Sequence, residues 1–208
     1  MSSLRIDNPQ TIQIINQKLA SEHPGEVLYA LDVLLKEKSE EGVVVLGNLL
    51  EHKLPEVRRE IFGRIIRYNM FSLQREVKNR ITDEPVNEIK RLAIETYCFL
   101  GEGSVVDEIC PYMDDADSHI QTGAIVGLIR FGGINGVILA GARLIEYVND
   151  SDPRTRAFGA YIIGEVGIYN FYHPLLSLLD DEDGDVRKEA LRSSGRVKHP
   201  KLYPGLLK

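Results

Sequence analysis

Five carboxylates stand close together at Asp180, Asp181, Glu182, Asp183 and Asp185, a density that a hard cation such as calcium would favour. The run lacks the distal bidentate Glu of a calcium loop and leads straight into Val186-Arg187, the start of a helical pattern. Carboxylates just before a helix are already stabilised by capping and by the helix dipole, so a turn is the simpler reading. Basic residues offer the next chemistry. Arg58, Lys90, Arg156 and Arg187 occupy one recurring position, and could hold an anion or pin neighbouring turns together through carboxylates such as Asp152, Asp183 and Asp185. The second use is the expected one, which makes these four a structural ladder.

Other signatures fail on spacing. His23, His52, His119, His173 and His199 are scattered and form no H-E-x-x-H or Cys/His cluster, so no metal is expected. Gly101-Glu-Gly103 lacks the third glycine and the preceding strand of a dinucleotide loop. Gly136 to Gly141 has the spacing of a phosphate loop, but Ala142-Arg143 stands where Lys-Ser/Thr is needed. Cys98 and Cys110 suit neither a disulfide framework nor a paired-cysteine zinc site, and fit a reducing compartment. No catalytic residues and no cofactor are expected.

With 43% hydrophobic and 27% charged residues over 208 positions, the composition is that of an ordinary globular chain with a substantial core. The net charge of -6 argues against general phosphate-backbone binding. Met1-Ser-Ser-Leu-Arg5 holds no apolar signal core, and the most apolar run, Ile134 to Ala142, is about half the ~20 residues a membrane helix needs. A soluble, cytoplasmic segment is expected.

The elements that position these residues are helices separated by Pro- and Gly-containing breaks. Asn8-Pro9 reads as cap and first residue of a helix, and His23-Pro24-Gly25 breaks it before a second over Val27 to Leu35. Ser39-Glu-Glu caps a third helix running to about Leu50, and Leu54-Pro55 opens a fourth that ends near Arg67. The two-helix phrase then recurs. The first buried residue of each second helix is Val27, Val57, Ile89, Ile120, Thr155 and Val186, at intervals of 30, 32, 31, 35 and 31. Six positions before these anchors stand the polar residues Ser21, Glu51, Asp83, Asp114, Asn149 and Asp180. Four positions after them, Leu31, Ile61, Ala93, Ala124, Gly159 and Ala190 are apolar or small, which lets paired helices approach closely. Gly101, Gly132, Gly167 and Gly195 fall near second-helix ends, where a left-handed cap favours glycine.

A fixed period of this length marks a helical solenoid. The expected fold is all-α, a right-handed α-α superhelix of about six pairs in one domain over 1–208. Its repeats fall at about 8–37, 39–69, 72–101, 103–132, 134–167 and 169–197, with a partial one at 199–208. Tyr172-His-Pro174 recurs as Leu202-Tyr-Pro204, the first helix of a seventh pair, so the native polypeptide is expected to continue beyond Lys208.

Asn149-Asp-Ser-Asp-Pro-Arg-Thr-Arg156 through Gly164-Glu-Val-Gly167, and Asp180 to Arg187 through Ala190-Leu191, resemble the HEAT-repeat superfamily. The period of ~31 residues is closest to its short, phycobilisome-lyase-type branch, since HEAT repeats usually span roughly 40–47 residues. Separately, Asp7-Asn-Pro-Gln10 and Glu26-Val-Leu-Tyr-Ala-Leu-Asp-Val-Leu34 are similar to helical-repeat segments of bacterial ATP/ADP-translocase-like transporters. These resemblances imply a non-enzymatic scaffold or regulatory protein-interaction module, a soluble segment of a longer protein such as a transporter of that kind. They also carry two rivals, a bilin lyase and a HEAT-like DNA glycosylase. The lyase lacks a thiol-and-base arrangement, and the glycosylase meets an acidic chain with no Trp.

In such solenoids the second helices line the concave side. The residues expected there are Arg59, Arg64, Arg67, Arg91, Arg130, Tyr161, Lys188 and Arg192. From Arg58 to Arg91 nine Lys or Arg stand against five Asp or Glu. That local excess makes the expected partner an acidic protein or peptide.

Overall fold

The computed structural model describes residues 9–36 and 40–202. Among them are twelve α-helices, four short 3-10 stretches and no strand. The chain divides into two compact units, 1–100 and 101–208. The first unit holds α1 (Pro9–Leu19), α2 (Pro24–Lys36), α3 (Glu40–Leu49), α4 (Pro55–Arg67), α5 (Gln74–Asp83) and α6 (Asn87–Gly101). The second holds α7 (Val106–Ile109), α8 (Ser118–Phe131), α9 (Gly133–Val148), α10 (Pro153–Val166), α11 (His173–Leu179) and α12 (Gly184–Val197). Three successive helical pairs therefore make up each unit. The caps expected at Asn8 and Ser39, and the expected helix through Pro204, lie outside the described residues.

Local chemistry sets the helix starts. Pro55 and Pro153 occupy the first helical turn, where a missing N–H costs nothing. Asp117, Asp152 and Asp183 are true N-caps: Asp117 accepts from His119 and Ile120, Asp152 from Arg154, and Asp183 from Asp185 and Val186. Two first helices, α5 and α11, are entered through 3-10 turns at Phe71–Leu73 and Tyr169–Tyr172, and a further 3-10 turn, Pro200–Leu202, follows α12. In the α7 pair the chain tightens into a 3-10 segment, Cys110–Asp114, where Pro111 has no N–H to continue the α-helix.

Burial follows the second helices. Of the six anchors, Val27, Val57, Ile89, Ile120 and Val186 are buried, and Thr155 is half-buried. All six residues four positions later are buried. The small ones are small for a reason. A Cβ at Gly159 would meet Val148 Cγ1 at 2.9 Å and Tyr147 Cβ at 3.1 Å, so α9 and α10 touch across this glycine. α10 packs most extensively against α12, and there a Cβ at Gly164 would stand 2.5 Å from Ser193 Oγ and 3.0 Å from Ser193 Cα.

The glycine caps depart from expectation. Gly167 does end α10 in the left-handed region, with φ +61°, donating to Ile163 O. Gly132 has φ -77°, Gly101 is still helical, and Gly195 lies inside α12, whose left-handed cap is Lys198 at φ +55°. Gly132 is required by contact instead: a Cβ there would meet Leu128 O at 2.6 Å and Gly136 Cα at 2.9 Å.

Two glycine substitutions should separate close packing from helix propensity. Gly164→Ala is expected to destabilise the protein by about 1–3 kcal/mol through the clash with Ser193. Gly63→Ala in α4, where nothing lies within 4 Å of the added methyl, should stabilise by about 0.5–1 kcal/mol. Equilibrium urea unfolding of both variants measures the difference in sign.

Candidate functional site

The recurring turn between the helices of a pair is built around one arginine. Arg58 donates through Nη1 to His52 O at 2.8 Å, Arg156 through Nη1 to Asp150 O at 3.0 Å, and Arg187 through Nη1 to Asp181 O at 2.7 Å. Each also reaches the next carbonyl, of Lys53, Ser151 and Glu182. The other edge of the guanidinium clasps the following turn. Arg58 donates to both oxygens of Glu84 at 2.8 and 2.7 Å, and Arg156 to both oxygens of Asp181 at 2.8 Å. Those acids also shape their own turns, since Glu84 accepts the Val86 N–H and Asp181 the Asp183 N–H.

The ladder partners therefore differ from those expected. Asp152 and Asp183 are spent as N-caps, and the acceptors Glu84 and Asp181 stand five positions before the anchors Ile89 and Val186. His52, Glu84, Asp115, Asp150 and Asp181 each accept the N–H two residues on. The acidic run at 180–185 is thereby explained as a clasped turn plus a cap. No group of three potential metal ligands occurs among the described residues.

The Arg58–Glu84 pair is the most enclosed. Glu84 is fully buried and takes a second guanidinium from Arg80 at 2.8 Å. Burial alone would raise its carboxyl, but hydrogen bonds from Arg58, Arg80 and the Val86 N–H outweigh burial and hold it below the usual range. Arg156 holds the Asp181 carboxyl below its usual value in the same way.

Most residues expected on a free basic face are engaged. Arg64 is a correction: it is only 9% exposed, clasps Asp32 through two bonds of 2.8 and 3.0 Å, and also pairs with Glu60. It lies seven residues after Val57, two helical turns, and so shares the buried face. Arg59 pairs with Glu88 at 2.7 Å and Arg91 with Glu95 at 2.7 Å. Arg130 donates to Glu165 O and Val166 O at the end of α10, and Tyr161 lies under Arg196, which pairs with Glu165. Arg192 pairs with Glu189 at 3.3 Å. Arg67 and Lys188 are exposed, with no acidic partner among the described residues. Lys90 is half-buried on α6.

The sequence reading places a helical pair at 134–167 but misses the exposed stripe of α9. Its inward face carries the small residues Gly136 and Ala140 with Leu144, while Ile134, Ile138 and Ile145 are 79%, 62% and 61% exposed. Beside that outer stripe runs an open groove of about 420 Å³, lined by Val137, Ile138, Ile145 and Val148 of α9 with Phe171 and Pro174. The signal was available: with Ile134, Val137, Ile138, Leu139, Leu144 and Ile145 in one helix, α9 has more apolar surface than one core contact can cover.

A family model described as HEAT repeats matches residues 141–208, which span α10, the clasped turn of Asp181 and α12. Over these residues the chain is similar to HEAT repeats. There Arg156 clasps Asp181, as Arg58 clasps Glu84 in the first unit. No curated protein matches the chain. Among solved structures, the crystal structure of an engineered protein from a structural genomics consortium is similar at 16% identity, over 90% of this chain and 96% of that one, with a TM-score of 0.47. Human deoxyhypusine hydroxylase in complex with glycerol is similar at 12% identity, over 95% of this chain and 88% of that one, with a TM-score of 0.49.

The clasp carries two expected outcomes. Removing one partner of a buried pair is strongly destabilising, so Arg58→Ala should cost about 3–5 kcal/mol, against at most ~1 kcal/mol for exposed Arg59→Ala. Calorimetry or urea unfolding gives both numbers. Because the folded Glu84 carboxyl is held low, its stabilisation is present above the ordinary Glu value of about 4.3 and is lost as pH falls through the lowered folded value. Stability measured between about pH 6 and 2.5 should fall less steeply in Glu84→Gln than in the wild type; parallel curves would exclude this role.

Proposed function

We propose that the chain is a non-enzymatic scaffold that offers preformed helical surfaces to a protein partner, with the outer stripe of α9 as its contact surface. The inverted amphipathicity of α9 carries this reading. Large aliphatic side chains face solvent while small ones face the core, an expensive arrangement for a helix with nothing to bind. An adjacent apolar groove without a charged lining residue suits the apolar face of an amphipathic helix. Meanwhile the charged side chains of the second helices are largely occupied in holding the repeats together.

The bilin-lyase rival draws no support from the thiols. Cys98 is buried, and burial, then the Asp107 charge, raises the Cys110 thiol, which lowers its thiolate fraction. No described helix is long and apolar enough to cross a membrane. The finer assignment, a cytoplasmic-face segment of a longer ATP/ADP-translocase-like protein, rests on the resemblance of residues 7–34. Membrane-spanning sequence in the same reading frame is its direct check.

Ile138→Asp combined with Ile145→Asp tests the contact surface. Both side chains are exposed, so unfolding free energy should stay within about 0.5 kcal/mol of wild type. Complexes formed by the wild-type chain in extracts of its source cell should be lost, and binding retained by the double variant would refute the assignment.

A further inference from the structure

We infer that the partner of α9 is a second copy of this chain, whose own α9 crosses the outer stripe antiparallel at Gly141-Ala142 to make a symmetric dimer. This rests on the reading of α9 as a protein-contact surface and names what covers it. The spacing of the stripe carries the inference. Ile134, Ile138, Gly141 and Ile145 follow one another at steps of 4, 3 and 4, the seam of two helices packed side by side. The centre of that seam is mirrored in sequence: Ile138 and Ile145 stand equally far from the midpoint of Gly141 and Ala142. A two-fold axis at the midpoint lays Ile138 of each copy on Ile145 of the other, so the surface answers itself as an isologous contact requires. Core packing does not call for the mirrored pattern, since α9 buries Gly136, Ala140 and Leu144. A helix from an unrelated protein would not call for it either.

The middle of the seam is built for close approach. A Cβ added at Gly141 would meet nothing within 4 Å, and Ala142 is exposed, so two helices can cross there at about 8 Å. Both flanks are open. One groove runs between α9 and Phe171 and Pro174, another between α9 and Val106 and Asp107, and Ile138 lines both. Charge does not oppose the contact where it forms. Residues 131–142 contain no charged side chain, and Arg143 is held by Asp114 at 2.7 Å and Glu146 at 3.3 Å. The exposed aliphatic side chains of α9 present on the order of 500 Å² in each copy, so a dimer buries on the order of 1,000 Å², the low end for a specific interface. An interface of that size, with a matched apolar centre, gives a dissociation constant in the micromolar range.

Sedimentation equilibrium of the whole protein from about 1 to 500 µM reads the association directly, and a passage from monomer to dimer is expected. The dimer should persist or strengthen as salt rises from about 0.05 to 0.5 M, because salt screens repulsion between two acidic chains and leaves apolar burial in place. The Ile138→Asp, Ile145→Asp protein should stay monomeric throughout. Orientation is read by oxidative crosslinking. An equal mixture of the Ile138→Cys and Ile145→Cys proteins should give a disulfide-linked dimer, while either variant alone should give no more than wild type. In the antiparallel pair, position 138 of one copy lies about 10 Å along the axis from position 138 of the other, too far for a disulfide. A wild-type chain monomeric at every concentration, a dimer unmoved by the Asp pair or dissolved by salt, or a mixture that crosslinks no better than the single variants would overturn the inference. A monomeric wild type whose complexes in extracts are nevertheless lost in the Asp variant would overturn this inference alone and leave α9 as a contact for another protein.

Discussion

A guanidinium presents its five N–H donors along two usable edges, and the HEAT-like turns of this protein use both. In Arg58 and Arg156 one edge closes the turn beneath the side chain and the other grips a carboxylate of the next turn. The gripped carboxylate simultaneously accepts a backbone N–H of its own turn. Three backbone segments are thereby tied through one planar group. Apolar burial supplies most of the free energy, about 1.5–3 kcal/mol for each side chain such as Leu31 or Ile61. Burial is non-directional, however, and would tolerate a neighbouring pair slipped along its axis. A buried carboxylate does not tolerate slippage, because leaving Glu84 without its guanidinia is far costlier than losing an exposed pair. The clasp fixes register, and the core supplies adhesion.

That division of labour needs helices at one spacing. Small residues four positions past the anchor set it where they occur, as Gly159 does against Tyr147 and Val148. Gly164 and Ser193 set the α10–α12 spacing in the same unit where Arg156 reaches Asp181. A bulkier contact would move α12, and the turn preceding it, away from a guanidinium whose bonds are 2.8 Å long. Glycine positions and the arginine rung thus depend on each other although no contact joins them.

The period, the anchors and the basic rung were legible in the sequence because each is imposed again at every repeat. Helix α4 falls where Pro55 and the apolar spacing predict it. The partner of the rung was not legible, because five and six positions before the anchor are both polar in nearly every repeat, as in Asp83-Glu84 and Asp180-Asp181. Only the turn geometry decides which carboxylate points to the arginine. Arg64 was misread for a different reason. A charged residue on a buried stripe looks like a surface residue until its partner, Asp32 on the preceding second helix, is in view. The outer stripe of α9 was missed because its apolar run was weighed only against a membrane span and a phosphate loop, and small and large apolar residues alternate in it so that the sequence alone leaves open which set faces the core.

Repetition also indicates where recognition can reside. A position that recurs with the same chemistry is answered by its neighbour: arginine by turn acid, small residue by close helix, N-cap by backbone N–H. Recognition of something outside the chain must use positions where the answer is missing. One such departure stands out among the described residues. On α9 the size pattern is reversed, so that Ile134, Ile138 and Ile145 face solvent while Gly136 and Ala140 face the core, where α5 exposes polar residues and buries Val77 and Ile81. A surface of that kind is complementary to apolar side chains, and the small residues behind it let α9 sit close to α8, so the stripe is held on a packed helix and not on a loop.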